Sequence, residues 1–278
     1  MFFDDAITAS RELEITLTGK ACGMSQKAPM CGVPFHAAEI YISRLIAKGY
    51  KVAICEQLED PKKTKGIVKR GVVRIVTPGT VIETNMLEEK KNNYIMSIVK
   101  KGMYYGLAVC DISTGDFYST QIKLEENNFE KLLDEYARFA PTEIVVNEEM
   151  YASKKEIETL KDRNNTFVTL RENSNFKEDN VLLERCYTIV DNFDREKNSL
   201  KDEMFCVSAI NGLLNYFTET QKVKLEHINK IKIYEVKMYM ALDINARRSL
   251  EITERMRDKS KKGTLIWVLD KTSTSMGG

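Results

Sequence analysis

The chain has 278 residues, 43% of them hydrophobic and 30% charged, a balance that excludes a disordered or fibrous chain and suits two or three globular domains. Its formal net charge of +1 names no partner, yet residues 1–80 carry 12 Lys and Arg against 8 Asp and Glu, and the remainder carries 30 against 33. A basic first part points weakly toward nucleic acid, and no apolar run approaches the roughly 20 residues that span a bilayer.

Phe2, Phe3, Ala6, Ala9 and Leu13 recur at helical spacing from the first residue, with no cap ahead of them, as though the chain opens inside an element. Ile15–Thr18 reads as a short strand. The stretch Ala21–Pro34, with two glycines and two prolines, reads as a loop. His36–Lys48 predicts an amphipathic helix with Ala37, Ile40, Tyr41, Leu45 and Ile46 on one face and Gly49 at its left-handed end. Val52–Cys55 predicts a buried strand, and Val72–Val76 another, stopped by Pro78-Gly79.

Glu88–Asn93 is polar and reads as a linker. Tyr94–Val99, Tyr104–Asp111 and Asp116–Ile122 predict a three-strand meander turning at Lys100-Lys101-Gly102 and at Gly115. Helix Asn128–Phe139, strand Glu143–Asn147, helix Lys154–Lys161 and strand Thr166–Leu170 follow. Strands alternating with helices imply at least one parallel pair, and a meander feeding such units resembles the ribonuclease H arrangement. Beyond Asp202 the pattern is mostly helical, over Met204–Phe217, Lys237–Ile252 and Thr264–Leu269.

The six cysteines form no C-x-x-C pair, and His36 and His227 lie apart from them, so a zinc site is not expected. Cys55 and Cys110 read as buried small hydrophobes. The absence of a signal peptide favours a reducing, cytoplasmic setting. Between Pro61 and Arg74 lie Lys62, Lys63, Lys65, Lys69, Arg70 and Arg74 and no acidic residue. Such a run is ordinarily a solvated face; its alternative use is to neutralise phosphates and release counterions. Strand alternation would put Arg70 and Arg74 on one face, with Lys69 opposite. Gly66–Gly71 (GIVKRG) has the glycine frame of a phosphate loop, but Val72 and Val73 stand where Lys and Ser or Thr are required, so no ATP hydrolysis is expected of these residues.

Seven stretches, in order, resemble the MutS family of mismatch-recognition proteins: Met1–Thr18 (MFFDDAITASRELEITLT), Ala28–Ala37 (APMCGVPFHA), Gly49–Asp60 (GYKVAICEQLED), Lys69–Thr80 (KRGVVRIVTPGT), Ala108–Phe117 (AVCDISTGDF), Ala241–Thr253 (ALDINARRSLEIT) and Leu269–Gly278 (LDKTSTSMGG). The resemblance implies a mixed α+β mismatch-binding domain over 1–87, a linker over 88–93, a ribonuclease H-like α/β connector over 94–222 and the start of an all-α core over 223–278. It also implies that the family's Phe-x-Glu probe, whose ring wedges into a mispaired step, lies just ahead of the position matching Met1, and that the ATPase lies far beyond Gly278. The 278 residues are then a non-catalytic part with no cofactor of their own; ATP and Mg belong to the full-length family.

Carried over residue by residue, the resemblance makes Arg70 a DNA-facing arginine, with Lys69 and Arg74 beside it. It places His36 near the DNA backbone at a helix start, where an anion is favoured, Lys20 at a basic position and Met30 against the minor groove. The plain alternatives are that His36 packs against Phe35 and that Met30 fills core. The implied partners are double-stranded DNA and, through the connector, a MutL-type protein. The family dimerises mainly through other parts, so this chain is expected to be a monomer. Two competing functions remain open. One is a metal-dependent nuclease using Asp111 and Asp116, against which Asp111 is expected to cap the Ser113-Thr114-Gly115 turn. The other is a MutS-like paralogue that binds branched DNA.

Overall fold

A computed structural model describes residues 1–23, 26–60, 66, 68–83, 86–87, 92–123, 128–177, 204–222, 228, 230–236 and 244–272. The chain divides into two compact units, Met1–Pro78 with Thr220–Lys222, and Gly79–Glu219 with Val223–Gly278. Both mix helices with strands.

In the first unit, helix α1 (Phe3–Leu13) buries Ala6, Ala9 and Leu13, the helically spaced positions, and ends at Glu14 in the left-handed region (φ 57°). These residues pack with Cys31 and with Leu45 of helix α2 (Ala38–Ala47). The strand expected from Ile15 starts instead at Thr18, as β1 (Thr18–Lys20). The cause is local: the Ser10 hydroxyl donates to Ile15 O at 2.7 Å and Ile15 N donates to Ser10 O at 3.1 Å, folding Ile15 back onto the α1 core. The expected loop contains β2 (Ala28–Met30), antiparallel to β1. A 3₁₀ turn, Phe35–Ala37, leads into α2, and Gly49 takes the expected positive φ, 82°.

Strands β3 (Val52–Gln57) and β4 (Arg70–Val76) form a two-stranded antiparallel ribbon. The expectation that Val52–Cys55 is buried fails: Val52 and Ile54 are half-buried, while Ala53 and Cys55 are exposed. The apolar run is the same, but two strands alone leave one side of the ribbon to water. Cys55 is therefore not the buried hydrophobe its neighbours suggested.

The second unit is built on a six-stranded sheet ordered β10-β7-β6-β5-β8-β9. Its strands are β5 (Tyr94–Lys101), β6 (Tyr104–Asp111), β7 (Phe117–Lys123), β8 (Glu143–Val146), β9 (Phe167–Leu170) and β10 (Lys232–Ile233). β5, β6 and β7 are the expected antiparallel meander, and β8 and β9 run parallel to β5. The turns fall at Gly102 and Gly115, both at positive φ. Helices α3 (Asn128–Phe139), α4 (Glu148–Ala152) and α5 (Lys154–Asn164) cover one sheet face, burying Leu132, Tyr136, Met150 and Leu160 against Met96, Ile98, Leu107 and Ile144. Helix α6 (Met204–Gln221) covers the other, with Ile210, Leu213 and Phe217 against Ile95, Val99 and Ala108. Burial on both faces explains why these strands read as near-continuous apolar runs.

Beyond α6 the expected all-helical pattern is interrupted by β10, which pairs with β7 in parallel. Helix α7 (Ile244–Ser249) gives way to a turn at Leu250, short of the expected Ile252, and residues 237–243 of that expected helix lie outside the described ones. Helix α8 (Leu265–Leu269) is N-capped by Thr264, whose Oγ1 accepts from Trp267 N. Among the described residues, no helix is long and apolar enough to cross a membrane.

Glu143 is fully buried, and its carboxylate accepts from Thr169 Oγ1 at 2.7 Å, Tyr216 OH at 2.7 Å and Gly79 N at 3.1 Å. It thereby joins β8 to β9, to α6 and to the segment entering this unit. Close approach is set by Gly106 on β6: a Cβ built there would lie 1.8 Å from the carbonyl oxygen of Phe205 in α6. A main-chain atom cannot move aside as a side chain can. Gly106→Ala is expected to lower stability by about 3 kcal/mol, the upper end of overpacking costs. Gly102→Asn, at an open left-handed turn position, is expected to change it by less than about 1 kcal/mol. Urea unfolding midpoints of the two variants check both.

Candidate nucleic-acid interface

The β3–β4 pairing decides which cations can act together. Gln57 lies opposite Arg70, Cys55 opposite Val72 and Ile54 opposite Arg74, so the register shifts between Ile54 and Cys55 and Val73 is the extra residue of a β-bulge. Residues directly opposite share a face, and Ile54 and Gln57, three apart, do not. Arg70 and Arg74 therefore stand on opposite faces, contrary to simple alternation.

The two faces differ. Arg70 is exposed, on the side that carries Ala53, Cys55, Gln57 and Val72, all exposed as well. Arg74 is half-buried on the side of Val52, Ile54 and Val76, and its Nε donates to Gln221 Oε1 at 3.1 Å. That geometry makes Arg74 a packing residue and leaves Arg70 to face solvent. Lys69 is exposed just before β4; its carbonyl accepts from Leu58 N at 2.9 Å, continuing the ribbon by one pair. Lys62, Lys63 and Lys65 lie outside the described residues.

A second group sits on the β1–β2 hairpin. Thr18 pairs with Met30 and Lys20 with Ala28, so Lys20 and Met30 share a face. Phe2 bridges Met30 in antiparallel fashion, and the Lys20 ammonium lies 6.0 Å from its ring centroid. Lys20 is exposed and Met30 half-buried, with its carbonyl bonded to Thr18 Oγ1 at 2.8 Å. Lys48 is less available: its Nζ donates to Glu12 O at 2.6 Å and to Glu12 Oε2 at 3.1 Å, and this hydrogen bond draws the Glu12 carboxyl below its ordinary range.

His36 lies within the 3₁₀ turn ahead of α2, not in the helix itself, and is exposed. It does not pack against Phe35, because Phe35 is itself 94% exposed. An exposed phenylalanine is what sequence reasoning missed here, since an aromatic residue beside a helix is assigned to core by default.

In the second unit Asp111 is the turn cap that its sequence context suggested. Its Oδ1 accepts from Ser113 N at 2.8 Å and from Ser113 Oγ at 2.6 Å, and its Oδ2 accepts from Asn93 N at 2.9 Å. Asp116 N donates to Thr114 Oγ1 within the same turn. Both oxygens of Asp111 are thus held by this chain, an arrangement that closes the turn. The adjacent Cys110 is buried, and that burial, then Asp111 and Asp116, pushes its thiol well above the ordinary range and keeps it unreactive.

Residues 1–85 match the family model of MutS domain I, and residues 93–229 match that of MutS domain II. All 278 residues align with a DNA mismatch repair protein MutS from Ruminiclostridium cellulolyticum at 54% identity, covering 31% of that protein. The same coverage holds for the MutS of Acetivibrio thermocellus at 52% identity, and the MutS of Clostridium beijerinckii is 52% identical with 29% of it covered. The chain thus spans about 31% of the length of the curated relatives it matches.

Exposure of the ribbon is open to a direct check. Brief maleimide treatment of the native chain, read by peptide mass spectrometry, is expected to label Cys22 and Cys55 at least tenfold faster than Cys31, Cys110 and Cys206, on the order expected of free against buried thiols. A Cys55 as slow as Cys110 contradicts the exposed ribbon face.

Proposed function

Because this chain belongs to the MutS family, we propose that it supplies the duplex-gripping and coupling parts of a mismatch-recognition protein. The observation that carries the proposal is the alignment of every residue with proteins of that name, with MutS domain I over the same residues that hold the exposed cations. Arg70 is the leading phosphate contact, with the exposed Lys69 and Lys20 in support. His36 and Met30 are secondary contacts to backbone and minor groove. Arg74 is reassigned to holding the ribbon's inner side, on the strength of its bond to Gln221.

The proposed layout is a DNA-binding domain over 1–87, a linker over 88–93, a connector over 94–222 and the opening of a helical core over 223–278. The connector is assigned a ribonuclease H-like architecture. A sheet order in which the third, second and first strands of the unit precede the fourth and fifth, with only the first three antiparallel, supports that assignment. Fold alone does not confer nuclease activity, and the turn-bound Asp111 argues for a scaffold. The connector would offer its surface to a MutL-type partner, and the chain would act in the cytoplasm as a monomer. ATP and Mg would be handled by parts of the family protein outside these residues.

Phosphate contacts give affinity that is sequence-independent and strongly salt-dependent. Mismatch sensing needs an apolar wedge in a weakened base step, and on the proposed reading the family's Phe-x-Glu probe would come from residues outside these 278. The 278-residue chain is therefore expected to bind a short homoduplex and its single-mismatch counterpart equally, with Kd about micromolar or weaker. Arg70→Glu should weaken binding further and lower the slope of log Kd against log salt by about one. Bound duplex should slow maleimide labelling of Cys55, which shares the Arg70 face. Fluorescence anisotropy over a salt series measures the first two. No binding even at low salt, or a clear mismatch preference, contradicts the proposal.

A further inference from the structure

Phe35 stands out within the first unit. At 94% exposure it is the most exposed large apolar side chain among the described residues, the next being Leu269 at 69%. The ring is also held out by a defined backbone. Pro34 is extended (φ −60°, ψ 138°), and Ala37 N donates to Pro34 O at 3.0 Å to close the turn that carries Phe35 and His36. A pre-formed turn loses little freedom on docking, so an apolar side chain placed on it is suited to binding.

Resting on the DNA reading above, we propose that Phe35 is an apolar DNA-contacting residue whose ring sits against the sugar and base surface of the duplex while exposed cations of the same unit hold phosphates. The chemistry favours nucleic acid over another protein. The same unit displays Arg70, Lys69 and Lys20 exposed, and His36 is exposed in the same turn. A partner matching that set must be polyanionic and also present flat apolar surface, and a duplex does both through its backbone and its groove walls. Phe35 has no charge, so its contribution is independent of counterion release.

That independence provides the test. Phe35→Ala removes a side chain that packs on almost nothing, so the thermal midpoint should not change. Its Kd for a 30-base-pair duplex should rise about tenfold, equivalent to about 1.4 kcal/mol, with an unchanged salt slope, whereas Arg70→Glu lowers that slope. Phe35→Trp in a Trp267→Phe background leaves a single tryptophan, whose emission should shift on titration with duplex at the binding midpoint. If Phe35→Ala leaves Kd unchanged and the emission of the Phe35→Trp variant is silent while Arg70→Glu still weakens binding, the Phe35 proposal is overturned and the DNA reading stands. A partner other than DNA would give that same result. If the unsubstituted chain binds no duplex, both fall.

Discussion

Successive side chains of a β-strand point to opposite faces, and both units depend on that two-residue period. In the second unit it is unbroken. Ile95 and Val99 face α6, while Met96 and Ile98 face α3, α4 and α5, so one strand feeds two hydrophobic layers at once. In the first unit a single extra residue, Val73, interrupts the period, and the arginines on either side of it part company. The same rule yields a sealed core in one place and a divided charge pattern in the other.

The second unit tightens that sheet in two ways. Gly106 lets the backbone of α6 approach β6 to a distance that no side chain permits, and the stacked rings of Tyr104 and Phe205, 4.4 Å between centroids, mark the same crossing. Glu143 then fastens the other side through the hydrogen bonds that its buried carboxylate accepts from Thr169, Tyr216 and Gly79. Leaving any of those donors without an acceptor would cost as much as the lost bond or more, because water cannot reach to replace it. Packing and polar satisfaction here act on the same helix.

Much of this was legible beforehand. The meander, α3, β8, α5 and β9 lie close to where periodicity placed them, because two-sided burial writes long apolar runs and the turns carry Gly102 and Gly115. The Asp111 turn was legible too, since an Asp two residues before a serine in a tight turn has one obvious use. The first unit was less so. Ile15 looked like strand until Ser10 claimed its backbone, and Cys55 looked buried because composition does not reveal that a ribbon lacks a third strand. Arg74 looked by spacing as though it shared the face of Arg70, and spacing cannot show a bulge. Phe35 was the converse case: a residue whose type predicts burial, held in water by the turn around it. The Cys55 and Phe35 misses concern how many neighbours an element finds, a property of the whole fold, whereas those at Ile15 and Arg74 come from a local hydrogen bond and a bulge that apolar periodicity does not encode.

The bulge at Val73 separates two properties of the ribbon that usually move together. An extra residue bends a strand and sharpens its coil, yet the pairs on either side, Cys55 with Val72 and Ile54 with Arg74, already stand in consecutive steps along β3. Excising Val73 would therefore join those pairs without reassigning any residue to the other surface. The ribbon's curvature and its division of charge are thus independently adjustable, and a lineage could straighten this arm by losing one codon while its arginines kept their present sides.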